Sequence, residues 1–163
     1  MPTTLTALAT VVDPGQAMRV DVVTGTGFQL VFDTADAGAD RAGPSPTESV
    51  LAALAACTSM DVASILRKKR QLAATYRIAV TGEKADEHPQ VYTSIVVEHQ
   101  VTGEVEPEAL RRAVELSATT YCPVSAMLSH SVRIEHRYRL RQGERDEVSA
   151  LVALTGPEGA RVL

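Results

Sequence analysis

The sequence predicts an α+β domain. Three observations lead there. The chain opens with strand-like segments separated by glycine and proline turns. A capped, apolar stretch with helical spacing follows, free of glycine and of any further proline. Two alternating segments, a second helix and a final alternating segment complete the order strands, helix, strands, helix, strand.

Residues 4–12, rich in Thr, Val and Leu, read as a first strand. Asp13-Pro14-Gly15 is a turn signal, 18–23 a second strand, Gly25-Thr26-Gly27 a second turn and 28–32 a third strand. Together they predict an antiparallel meander. Residues 33–45 form a loop of small and polar residues. Ser45, Pro46 and Glu48 then spell a helix start: a capping hydroxyl, a proline at the first position and a glutamate three residues after the cap. The helix is expected from Pro46 to about Arg70. Val50, Leu51, Leu54, Val62, Ile65 and Leu66 recur at helical spacing, with mostly small residues between them up to Asp61. A helix apolar nearly all round reads as buried. Its basic end, Arg67 to Arg70, suits the negative end of the helix dipole.

Residues 76–80 and 92–101 read as strands joined by a polar turn, and 106–121 as a second helix with Leu110, Val114 and Leu116 or Ser117 facing inward. Pro123 stops that helix but can open another, so 124–128 is expected as a short helix capped by Cys122. Residues 130–140 alternate as a final strand, and the order of 142–163 is left open.

Composition excludes several classes. At 163 residues, 45% of them hydrophobic and 22% charged, the chain has the size of one globular domain. The longest clear apolar run, 50–57, is far short of the roughly 20 residues of a membrane span. No basic-then-apolar leader is evident, so a cytoplasmic protein is expected. A net charge of −4, no Trp and only four Tyr and two Phe argue against nucleic acid as a partner. The only two cysteines, Cys57 and Cys122, are expected to be reduced at rest.

Cys57 lies midway along the first helix with Asp61 one turn later. Two readings stand: a small core thiol, or a nucleophile activated by a nearby cation. Arg19 and Arg41 precede the helix, and Glu48 can hold such an arginine in a bidentate pair. Cys122, at a helix start, is either a core residue or a second reactive thiol; two cysteines on separate helices can meet, one attacking and the other resolving. His99 and His136 read as exposed or core-edge residues of their strands. None of His88, His99, His130 and His136 makes a metal-ligand spacing with another or with a cysteine, so no metal site is expected, and no phosphate or dinucleotide loop calls for a cofactor.

Gly43-Pro44-Ser45-Pro46-Thr47-Glu48-Ser49 and the run from Leu51 through Cys57-Thr58-Ser59-Met60-Asp61-Val62 resemble the OsmC/Ohr signature, and Tyr121-Cys122-Pro123-Val124-Ser125 matches its second motif. Gly82-Glu83-Lys84, Asp86 to Pro89 and Val101-Thr102-Gly103 resemble one OsmC-like branch. The similarity spans roughly residues 4–140, so 1–141 reads as the OsmC-like domain and 142–163 as a C-terminal extension. The resemblance implies an intertwined homodimer whose antiparallel sheets wrap two central helices, with active sites at the subunit interface. It also implies a thiol-dependent, peroxiredoxin-like reduction of organic hydroperoxides in oxidative-stress defence. By resemblance Cys57 is the peroxidatic and Cys122 the resolving cysteine. Glu48 orients a catalytic arginine, Arg19 or alternatively Arg41. An external dithiol serves as reductant, and no metal or other cofactor is needed. Val50, Leu51, Leu54, Met60, Met127 and Leu128 would line an alkyl pocket or are plain core. The alternatives are a catalytically weak OsmC-like dimer binding a small apolar or electrophilic ligand, and a cysteine redox sensor.

Overall fold

The computed structural model of the chain describes residues 3–12, 18–34 and 40–163. They fall into two compact units, Met1–Val50 and Leu51–Leu163.

In the first unit, β1 (Ala7–Val12), β2 (Arg19–Thr24) and β3 (Gln29–Phe32) form the expected antiparallel meander in the order β1-β2-β3. The turn expected at 13–15 and the middle of the 33–45 loop lie outside the described residues. The turn between β2 and β3 closes as Gly27 N donates to the Thr24 carbonyl at 2.8 Å, with Gly27 at φ +90°, a conformation open to glycine and costly for most other residues. The capping box is formed. Ser45 N donates to Glu48 Oε2 at 2.7 Å, and Glu48 N donates to Ser45 Oγ at 3.3 Å. It opens α1 (Pro46–Lys68), which ends at the basic residues as expected.

The second unit is a five-stranded sheet in the order β4-β5-β6-β7-β8, from β4 (Leu72–Lys84), β5 (Tyr92–Glu104), β6 (Arg133–Arg141), β7 (Val148–Gly156) and β8 (Gly159–Val162). The last two strands lie in the stretch whose order the sequence leaves open. One ladder departs from the expected antiparallel arrangement: β5 and β6 run parallel. The reason is the connection between them, a crossover through α2 (Pro107–Leu116), a π-helical turn (Ser117–Tyr121) and α3 (Pro123–Ser129). Alternation then sorts the strands. Ile95, Val97 and Val101 of β5 and Ile134, Tyr138 and Leu140 of β6 are buried. They pack with Val62 and Leu66 of α1 and with Leu110, Ala113 and Val114 of α2 in two adjoining apolar clusters. Each fully buried Leu or Ile in such a core is worth about 1.5–3 kcal/mol.

Two expectations need correction. His99 and His136 are not edge residues; both are fully buried, because they share strand parity with Ile95 and Val97 and with Ile134 and Tyr138. And α1 is not buried all round. Within this chain only the stripe Leu54, Thr58, Val62 and Leu66 is buried, while Ala52, Ala53, Ala56, Met60 and Ala63 are exposed, Met60 at 73%. The helix is 23 residues long and largely apolar. By length and composition alone it could cross a membrane, which the shorter run 50–57 did not register.

Candidate active site

The sequence places Cys57 and Asp61 one turn apart on α1, hence on one face. The crossover brings the second thiol to them. The π-helical turn is closed by Cys122 N donating to the Ser117 carbonyl at 3.0 Å, a five-residue step that swings the chain out of α2 just before Pro123. Cys122 caps α3, as expected, with its Sγ accepting from Ser125 N at 3.3 Å. The result is a cluster in which Cys57 Sγ, a carboxylate oxygen of Asp61 and Cys122 Sγ all lie within 4.8 Å of one another. Cys57 is half-buried and Cys122 buried, and both are free thiols.

A hydroxyl pair fixes the carboxylate. Ser117 Oγ donates to Asp61 Oδ2 at 3.0 Å and lies 2.8 Å from Thr58 Oγ1, with Thr58 and Ser117 both fully buried. This places the expected inward residue Ser117 in a polar role. Burial pushes the Cys122 thiol up to about 12, reinforced by Cys57 and by the charge of Asp61 and partly offset by the Ser125 N–H. Cys122 is therefore a thiol, not a thiolate, at neutral pH.

Two separate polar pairs sit within the sheet's buried face. Tyr76 Oη lies 2.6 Å from His99 Nδ1, and His136 Nε2 lies 3.1 Å from Thr155 Oγ1. Burial, and then the charge of Asp61, hold the Tyr76 hydroxyl well above the ordinary tyrosine range. Tyr76 thus keeps its proton within its hydrogen bond to His99. Burial and His136 push His99 down to about 3, and burial pushes His136 down to about 4, so both imidazoles are neutral.

The other site residues belong to the first unit. Glu48 is exposed, and its carboxylate accepts from both the backbone N and the hydroxyl of Ser45. These bonds hold its carboxyl below the usual range, and the charge of Arg41 adds to the effect. Arg19 is bound to Asp21 through Nε at 2.9 Å, an (i, i+2) pair on one face of β2 that the alternation of the strand would have shown. Of the residues expected to line an alkyl pocket, Leu54 is core, Leu51 and Leu128 pack against it, and Met60 and Met127 are exposed. An open cleft of about 340 Å³ reaches the cluster at Asp61, lined by Ile65, Leu116, Tyr121, Lys68 and Lys69.

A family model described as OsmC-like protein matches residues 38–137. The Escherichia coli K12 protein YhfA is 40% identical over 118 residues, 72% of this chain and 86% of its own. A solved hypothetical protein from Aquifex aeolicus VF5 superposes with a TM-score of 0.73 at 26% identity, covering 88% of this chain and 100% of that one. An organic hydroperoxide resistance protein from Elizabethkingia anophelis shares the fold with a TM-score of 0.61 at 13% identity, over 88% of this chain and 99% of that one.

Proposed function

Because the chain belongs to the OsmC-like family, we propose that it reduces organic hydroperoxides with Cys57 as peroxidatic and Cys122 as resolving cysteine. The observation that carries this reading is the approach of the two sulfurs within 4.8 Å, from separate helices. Cys57 is the more accessible of the pair. Its thiolate attacks the distal oxygen of the hydroperoxide, the O–O bond breaks, and the alcohol leaves with a proton. The sulfenic acid formed on Cys57 then condenses with the Cys122 thiol to a disulfide and water, which spares Cys57 from over-oxidation. An external dithiol restores both thiols by exchange. We assign the chemistry to the cytoplasm, where such reductants act, and to oxidative-stress defence.

Glu48 has the role of orienting the arginine that stabilises the departing alkoxide. Arg41 suits that role better than Arg19, because its charge acts on the Glu48 carboxylate whereas Arg19 is held by Asp21. The exposed row Ala52, Ala53, Ala56, Met60 and Ala63 gives α1 an apolar face that a second copy would cover, as in an intertwined homodimer. Light scattering should then return twice the 17.4 kDa of the chain; a monomer would sink the dimer.

The test of function is stoichiometric. Fully reduced protein is mixed with one equivalent of an alkyl hydroperoxide, free thiols are counted and the intact mass is taken within seconds. Loss of both thiols and of two hydrogens is expected, followed by their return with a dithiol. Two untouched thiols would refute the reading. One observation favours the alternatives, a ligand-binding dimer of weak activity or a redox sensor: ionisation of Cys122 is opposed first by burial, then by Cys57 and Asp61 beside it. A disulfide that no dithiol reopens would select the sensor.

A further inference from the structure

We infer that the reduced chain binds a thiophilic divalent cation of the zinc type through Cys57, Asp61 and Cys122. The inference concerns the same two thiols but requires only that they be reduced, not that they turn over. Four observations carry it. First, the donor set is two sulfurs and a carboxylate oxygen, each within 4.8 Å of the others. Tetrahedral zinc, with Zn–S about 2.3 Å and Zn–O about 2.0–2.2 Å, spans S···S and S···O edges of about 3.5–3.8 Å. Side-chain rotations that draw the three together by about an ångström therefore suffice. Second, the ligands stand on rigid elements: Cys57 and Asp61 on one face of α1, Cys122 between the π-helical turn and α3. Third, the carboxylate is already oriented. Ser117 donates to its Oδ2 and is itself paired with Thr58, the outer support that metal-binding carboxylates use. Fourth, Asp61 has no ion pair among the described residues. A bound dication takes the place of the two thiol protons and gives the carboxylate its counter-charge. Three protein ligands leave the fourth position open to water. Spacing along the chain could not announce the site, because the ligands come from two segments joined only by the crossover.

Metal and hydroperoxide then compete for one pair of sulfurs. When a hydroperoxide takes two electrons from the metal-bound thiolates, the sulfurs join in a disulfide. The peroxide oxygens leave as alcohol and water with two added protons, and the cation is released. Metal loading accordingly slows the loss of thiols to peroxide, and oxidised protein cannot hold the ion.

The experiment is a Co²⁺ titration of the reduced full-length chain without oxygen, followed by displacement with Zn²⁺. Saturation at one equivalent with thiolate-to-cobalt absorption and tetrahedral d–d bands is expected. Both signals should be lost in Cys122→Ser and in the disulfide form of the unaltered chain. Affinity should be at least about tenfold weaker in Asp61→Asn. Zinc X-ray absorption on the unaltered chain, expected to give two sulfurs at about 2.3 Å beside oxygen at about 2.0 Å, decides the ligand set even if a variant does not fold. Absence of thiolate bands, affinity unchanged in Asp61→Asn, or a shell without two sulfurs overturns the inference. Thiol loss to hydroperoxide is measured separately on metal-free protein. Oxidation without cobalt binding defeats the metal site alone; cobalt binding with thiols inert to peroxide defeats the peroxidase reading alone.

Discussion

Cys122→Ser should stop after a single equivalent of hydroperoxide, gaining the mass of one oxygen, where the unaltered chain loses two hydrogens and recycles. The reasoning rests on the unequal settings of the two sulfurs. Cys122 is buried, held at about 12 and tied to the Ser125 N–H, so it meets peroxide as a thiol. Its use is to be next to Cys57 when the sulfenic acid forms. Without it, Cys57 is expected to remain a sulfenic acid at one equivalent and to climb to the sulfinic acid in excess peroxide. Cys57→Ser removes the step that breaks the O–O bond. The observed rate should fall on the order of a thousandfold or more, to that of the bulk thiol or below. Intact mass and dithiol-coupled turnover read both outcomes. If Cys57→Ser reacts as fast as the unaltered chain, the two roles are reversed.

Acid should destabilise the fold well before its carboxylates titrate, because two neutral histidines are locked into the core. His99 is depressed to about 3 and His136 to about 4, from about 6.5 in the unfolded chain. Between those values the unfolded chain binds protons that the folded one refuses. Stability is therefore full above about pH 6.5 and is lost as pH falls towards 4 and 3. Each histidine contributes a slope of about 1.4 kcal/mol per pH unit, so the pair costs on the order of 4 kcal/mol by pH 5. That is a large part of the 5–15 kcal/mol typical of a domain. Urea midpoints at pH 7.5, 6.5, 5.5 and 5.0 check it. A flat profile contradicts the neutral buried pair, and His136→Asn should roughly halve the slope.

Local chemistry was readable along the chain, and the long-range arrangement was not. Ser45, Pro46 and Glu48 announce α1 because a capping box is satisfied within four residues. Cys122 ahead of Pro123 announces the cap of α3 for the same reason. Burial of His99 and His136 is also legible, since His99 shares parity with Ile95 and Val97 and His136 with Ile134 and Tyr138, whereas the polar side chain alone suggests an exposed or core-edge position. The exposed face of α1 could not be read, because an apolar helix looks the same whether its own sheet or another chain covers it. The parallel pairing of β5 and β6 depends on how a crossover packs, which no local pattern records. So too with the site: Cys57 and Asp61 are visibly one turn apart, but their meeting with Cys122 is a product of that crossover.

The crossover also sets the order in which the site comes into being during synthesis. Cys57 leaves the ribosome with α1 long before Cys122, and even then the second thiol has no fixed place. The helix that carries the chain to it, α2, docks on Tyr138 and Leu140 of β6 and Val152 of β7, all made later. The two sulfurs therefore become neighbours only after β6 and β7 have been released. A nascent chain meeting peroxide holds two isolated cysteines, and the reactive pair exists only in the folded protein.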